Sequence, residues 1–249
     1  MRALLRLACF TFASLGLSLL FLLAIPFTLG RPQDRRSLRA WTLGSWARAG
    51  LACAGVDLEV RGRPPDGPGL LVANHVAYLD TWVLAAATRC TFVANAGIAR
   101  WPFFGFMARA IGILFIDRER KREIPEVNAR VEAALREGRL VALFPEATTS
   151  SGAGVNRFRP SLLEPAASGG HPVAWATIHY ATDPPDPPAS AAVCWADRSP
   201  LPEHARKLVR LRRVRATLTF GAEPVRGRDR KLLAEELHRR VSSAFEPIA

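Results

Sequence analysis

Residues 70–82 read L-L-V-A-N-H-V-A-Y-L-D-T-W, and the fold of the chain turns on how His75 and Asp80 are placed within them. A histidine and a carboxylate five residues apart cannot meet on regular structure. Five helical steps turn about 500°, and an odd offset puts the two side chains on opposite faces of a strand. They meet only across a turn, and the flanks supply one. Residues 69–73 form a short apolar run suited to a buried strand, and Asp80 is placed to cap an apolar helix over residues 81–88. His75 therefore belongs in the loop leaving the C-terminal end of a strand, where open α/β sheets bind their ligands. With Asp80 accepting from one ring nitrogen, the other is a base able to take a proton from a hydroxyl. The pair by itself fits equally well a plain helix cap beside an ordinary loop histidine.

Three later stretches stand beside it: G-I-L-F-I-D-R at 112–118, F-P-E-A-T-T-S at 144–150 and P-V-A-W-A-T-I-H-Y at 172–180. With N-H-V-A-Y-L-D, these blocks resemble, in order, those of the glycerolipid acyltransferases of the 1-acylglycerol-3-phosphate type, over roughly residues 55–220. The resemblance implies an α/β fold with a mixed, largely parallel sheet flanked by helices. It also implies His75 and Asp80 as the catalytic pair, and Asn74, Arg118, Glu146, Ala147, Thr148 and Thr149 on the acceptor-binding side. There are departures: Ala77 stands where the family usually has Ser, Asn95 and Gly97 where Lys and Glu are common, Ala147 for Gly and Thr149 for Arg. The F-P-E-x-T-T-S form is similar to that of lyso-ornithine-lipid acyltransferases and of some lysophospholipid acyltransferases.

At 249 residues the chain has room for one α/β domain of about 200 residues and a short N-terminal appendage. The formal charge of +12 invites anionic partners, although only Lys121, Lys207 and Lys231 are lysines among 34 basic residues, as a genomic arginine bias also produces. Nucleic acid is not expected, because the basic residues are scattered and no recognised motif is present. Cys9, Cys53, Cys90 and Cys194 lie far apart, with neither metal-site spacing nor a disulfide framework. Cys90 and Cys194 read as core fillers.

Residues 7–30 carry no charge and are long enough to cross a hydrocarbon core of about 30 Å. They read as a membrane segment, with the catalytic domain at the cytoplasmic face of the inner membrane. Arg2 and Arg6 precede the segment and Arg31, Arg35, Arg36 and Arg39 follow it, which fits a single span or a shallow helical hairpin. The second arm would be residues 33–54, an interfacial helix with Leu38, Trp41, Ser45, Ala49 and Ala52 on one stripe and Trp46 nearby; the alternative is a helix packed on the domain. The domain boundary is therefore expected between an anchor at 1–54 and an acyltransferase domain at 55–249.

Strands are expected at 56–61, 90–94, 139–144, 172–180, 191–195 and 214–220, and helices at 124–137 and 229–245. The aromatic cluster at 101–107 suits an acyl channel or a core. Because the strand at 139–144 ends just before Glu146, its loop and that of His75 would leave neighbouring parallel strands and build one site.

Acyl transfer from a thioester to a hydroxyl needs a base, oxyanion donors and a clamp for the acceptor. His75 and Asp80 supply the base and its orienter, and backbone N–H groups in the turn or at the start of the following helix are expected as oxyanion donors. No cofactor is expected, only the thioester of coenzyme A or of acyl carrier protein as co-substrate, with a membrane lysolipid as acceptor. A serine hydrolase is disfavoured by the lack of G-x-S-x-G, and a metal hydrolase by the spacing of His171, His179, His204 and His238. A catalytically silent membrane-surface adaptor would have no use for both His75 and Asp80.

Overall fold

The computed structural model describes residues 2–100, 102–116, 124–197 and 199–249. Two long helices open the chain, α1 (Arg2–Ala24) and α2 (Pro32–Ala54). Seven strands follow: β1 (Val56–Arg61), β2 (Gly69–Ala73), β3 (Thr91–Asn95), β4 (Leu114–Ile116), β5 (Leu140–Leu143), β6 (Val173–Thr182) and β7 (Val214–Phe220). Between and after them run α3 (Leu79–Ala87), α4 (Pro102–Ala110), α5 (Ile124–Arg136), α6 (Glu164–Gly169), α7 (Ala189–Ala192), α8 (Leu201–Leu208) and α9 (Arg230–Ala244).

The sheet order is β1-β7-β6-β2-β5-β3-β4, parallel at every pairing except β6 with β7. Every residue of β2 and β5 is buried, as expected for central strands covered on both faces. Leu71 and Ala73 of β2 face one core with α2 and α3, whereas Leu70 and Val72 face a second core with α5, α6 and α9.

This division places the site. The chain leaves β2 through α3 toward β3 on one side, and leaves neighbouring β5 through α6 toward β6 on the other. Right-handed crossovers in opposite directions must cover opposite faces, so a crevice opens between the C-terminal ends of β2 and β5. α5 buries Val127, Val131, Ala134 and Leu135, the stripe expected from its spacing, and Gly138 ends that run at φ 79°.

Several expectations are corrected. Residues 191–195 form no strand: Ala192 ends α7, and the Trp195 N–H donates to the carbonyl of Val76, clamping the His75 loop instead. Residues 102–110, within the aromatic cluster and beyond it, form helix α4; Met107 is buried and Phe106 exposed. Asp117 and Arg118 lie outside the described residues.

α2 is not a free interfacial helix. Leu43, Ala47, Leu51 and Ala54 are part of the core shared with α3, and a Cβ at Gly50 would lie 2.7 Å from the Trp82 ring. Trp46 is half-buried against this core, its Nε1–H donating to Ser14 of α1 at 2.9 Å, and its ring meets those of Phe10 and Trp82. Trp41 remains exposed, on the stripe read from the sequence. α1 itself is inside out for a helix in water: its buried residues are Ser14, Ser18 and Phe21, while Leu4, Phe12, Leu19 and Leu23 are each more than half exposed. By length and composition, Arg2–Thr28 is sufficient to cross a membrane. It nevertheless lies along the domain, because the Arg6 guanidinium donates to the carbonyls of Val209, Leu211 and Arg212.

Candidate active site

His75 and Asp80 meet across the turn. The imidazole Nδ1 lies 2.8 Å from Asp80 Oδ2, and the Asp80 side chain is fully buried. A carboxylate only accepts, so Nδ1 carries the proton and Nε2 presents its lone pair. Nε2 has no hydrogen-bond partner among the described residues. The ring is stacked on Phe144 with centroids 4.0 Å apart and planes within 10°, which fixes its tilt.

Asp80 is not the N-cap that the sequence suggested. α3 begins at Leu79, and Asp80 sits in its first turn with its carboxylate directed back over the preceding loop. Oδ2 accepts from the N–H groups of Val76 (2.7 Å) and Ala77 (3.0 Å) as well as from His75. Oδ1 accepts from the Tyr180 hydroxyl at 2.8 Å. Four donors hold one buried negative charge, which is what burying a carboxylate requires. The expectation that this turn supplies oxyanion donors fails at Val76 and Ala77, whose N–H groups Asp80 already uses.

Glu146 leaves β5 beside this loop, as the parallel pairing of β2 and β5 requires. Its Oε1 accepts from the His75 N–H at 2.7 Å and its Oε2 from the Asn156 N–H at 2.8 Å. Burial pushes its carboxyl up to about 7 against the pull of those two donors. Asn74 is also committed inside the fold: its amide donates to the Ile178 carbonyl and accepts from the Ile178 N–H, clasping β6. Both side chains thus hold the His75 loop.

Ala147 follows in the left-handed region at φ 60°, uncommon for a residue with a Cβ. Thr148 is exposed, and the Thr149 hydroxyl donates to the Trp195 carbonyl at 2.5 Å. The Ser150 N–H closes the strap on the His75 carbonyl at 2.9 Å. The structure therefore brings together Asn74, His75, Asp80, Glu146 and Thr149, leaves Thr148 open to solvent, and does not describe Arg118. Tyr180, Trp195 and Phe144 are the residues that sequence reasoning missed. Alternation along β6 was the available signal, since Ala176, Ile178 and Tyr180 share its α3-facing side.

An apolar cavity of ≈ 200 Å³ lies beyond α3, lined among others by Leu43, Trp82, Phe92, Met107, Ile111 and Phe115. Cys90 and Cys194 are buried, and burial raises both thiols to about 12, so neither is a thiolate near neutrality.

An imidazole held by a buried carboxylate thus stands at the switch point of a largely parallel sheet, an arrangement chemically able to take a proton from a hydroxyl. Residues 57–179 match the family model described as Acyltransferase. The chain is 38% identical over 136 residues to a 1-acyl-sn-glycerol-3-phosphate acyltransferase of Neisseria gonorrhoeae, covering 53% of each chain. It is 40% identical over 113 residues to a lyso-ornithine lipid O-acyltransferase of Rhodobacter capsulatus, covering 45% of this chain and 41% of that one. These matches span about half the length of the curated relatives. The fold is similar to the crystal structure of the 1-acyl-sn-glycerophosphate acyltransferase from Thermotoga maritima, with a TM-score of 0.60 at 20% identity, covering 94% of this chain and 97% of that one.

Proposed function

We propose that the protein is a membrane-bound lysolipid O-acyltransferase. The observation that carries this reading is the His75–Asp80 pair, with Nδ1 tied to a fully buried carboxylate and Nε2 left free of hydrogen bonds among the described residues. His75 Nε2 takes the proton of the acceptor hydroxyl as its oxygen attacks the thioester carbonyl. The tetrahedral intermediate then expels the thiolate, which recovers that proton, so ester and thiol are formed without an acyl-enzyme. The donor is a thioester of coenzyme A or of acyl carrier protein. The apolar cavity beside α3, bounded by α1, α2 and α4, supports the placement of an acyl chain.

The outward leucines of α1, together with Phe27 and Leu29 at the turn, support insertion of the α1–α2 hairpin into one leaflet of the membrane. We place the domain at the cytoplasmic face of the inner membrane. For the acceptor, Thr149 stands where relatives acting on lysophosphatidic acid often carry Arg, and its hydroxyl is spent on Trp195. This supports a lyso-ornithine lipid or another zwitterionic lysolipid over lysophosphatidic acid. The similarity to the Neisseria relative favours the second reading, synthesis of phosphatidic acid. Purified protein assayed on both acceptors, with both thioester classes, tests the proposal. A higher kcat/KM for lysophosphatidic acid overturns the acceptor assignment, and no turnover of any lysolipid overturns the function.

A further inference from the structure

At the other end of the sheet, where β2, β3 and β5 begin, a groove of ≈ 970 Å³ runs between the N-terminal half of α2 and the loops around residues 63–68, 86–91 and 137–140. Six arginines line it: Arg36, Arg39, Arg48, Arg63, Arg89 and Arg139. Asp66 and Glu137 are the only acidic residues lining it among the described residues. Arg63 pairs with Asp66 at 3.0 Å and Arg139 approaches Glu137 at 3.9 Å. Arg36, Arg39, Arg48 and Arg89 have no carboxylate partner among the described residues.

Helix and loop carbonyls account for part of this cluster. Arg39 Nε donates to the Ala110 carbonyl and an Arg139 terminal nitrogen to that of Gly112, so the two guanidiniums converge on one short turn. Arg48 donates to Ala86 and Ser45. A guanidinium has five N–H groups, so most donors remain unspent. Burial lowers the guanidinium pKa values of Arg39 and Arg139; Arg35 adds to this at Arg39, and Arg39 and Arg36 add to it at Arg139, against the opposing pull of Glu137 on both.

We infer that this groove binds the phosphate group of an acidic membrane phospholipid, at a site separate from the His75 crevice. Guanidiniums recognise phosphate oxygens bidentately. A lipid is the source that the fold presents, because the groove runs along α2 while the α1–α2 turn carries the exposed Phe27 and Leu29. The hairpin would hold the protein in the leaflet by apolar burial, and the groove would fix its rotation about that hairpin by charge. This rests on the membrane reading above, which the neutral-vesicle arm tests separately.

The experiment is binding of the full-length protein to phosphatidylcholine vesicles with and without about one third phosphatidylglycerol. Arg36→Gln with Arg89→Gln removes two charges whose side chains hold no backbone group, so the fold is kept. The pair should bind neutral vesicles as the wild type does and lose about thirtyfold in affinity for acidic ones, roughly fivefold per arginine. The same charge removed at Arg228 and Arg239, near α9, should change little. An equal loss in that control pair reduces the effect to net charge and overturns the site. Saturable binding of inorganic phosphate tighter than about 1 mM, lost in the Arg36/Arg89 pair, overturns the lipid assignment in favour of a soluble phosphate compound. Absence of binding to neutral vesicles counts against the hairpin, whereas equal wild-type affinity for both vesicle types counts against the groove.

Discussion

Tyr180 and Asp80 lie 100 residues apart in the chain, and the Tyr180 hydroxyl donates to Asp80 Oδ1 at 2.8 Å. This buried carboxylate is therefore shared between the loop after β2 and the end of β6. Burial, and then the Asp80 charge, raises the Tyr180 phenol well above its ordinary value, so it remains a donor. Tyr180→Phe leaves a buried carboxylate oxygen without its partner, at a cost of about 1–3 kcal/mol in stability. We expect kcat to fall about tenfold with KM little changed, since Tyr180 orients Asp80 and not the acceptor. Steady-state kinetics and denaturant melts check this; an unaltered kcat would remove Tyr180 from the positioning scheme.

His75→Ala should reduce turnover by about two to four orders of magnitude, the usual contribution of a general base. Cys90→Ala and Cys194→Ala should leave turnover almost unchanged, because their thiols are buried and protonated. Initial-rate patterns provide the check: intersecting lines indicate a ternary complex, and parallel lines would mean an acyl-enzyme.

Glu146 makes stability depend on pH with a sign opposite to that of most carboxylates. Its folded value is pushed up to about 7 from an ordinary 4.5. Between those values the native state keeps a proton that the unfolded chain has lost, so stability falls as pH rises through this window and levels off above it. Thermal melts of wild type and Glu146→Gln from pH 5 to 8 should therefore converge or cross as pH rises. A difference that stays constant with pH would contradict the raised value.

Ala147 pays for its φ of 60°, a conformation that costs a residue with a Cβ about 1–2 kcal/mol. Ala147→Gly removes this strain, and the gain is partly offset by the greater freedom of glycine in the unfolded chain. The net effect should be a stabilisation of about 1 kcal/mol, or roughly 2–4 °C in Tm. A lower Tm would show that the Cβ makes a contact worth more than the strain.

Thr149→Arg tests the acceptor. It adds a cation and removes the bond to Trp195, and one charged hydrogen bond is worth about ten- to a hundredfold in affinity. The ratio of kcat/KM for lysophosphatidic acid to that for lyso-ornithine lipid should rise; a ratio that stays put dissociates residue 149 from acceptor choice.

Hydrophobic runs and turn residues are local properties, and they located β1 and β7 to the residue, α5 and α9 to within a residue or so, and the loop carrying His75. The offset of five between His75 and Asp80 was enough to require a turn. Other features were beyond one-dimensional pattern. That Asp80 reaches back to two N–H groups instead of capping α3 depends on the loop's path. That Asn74 and Glu146 spend their polar atoms inside the fold depends on which strands lie beside β2. The apolar run at 191–195 looked like a strand, but its backbone groups are taken by α7 and by the His75 loop. Trp46 appeared to be an interfacial anchor until α1 folded over it. The sequence by itself determined which residues are candidates for the base and where the chain must turn for them to meet, because spacing and hydrophobicity act along the chain. Only the tertiary structure decided which donors surround Asp80 and which arginines share a groove, because those partners meet across strands distant in sequence.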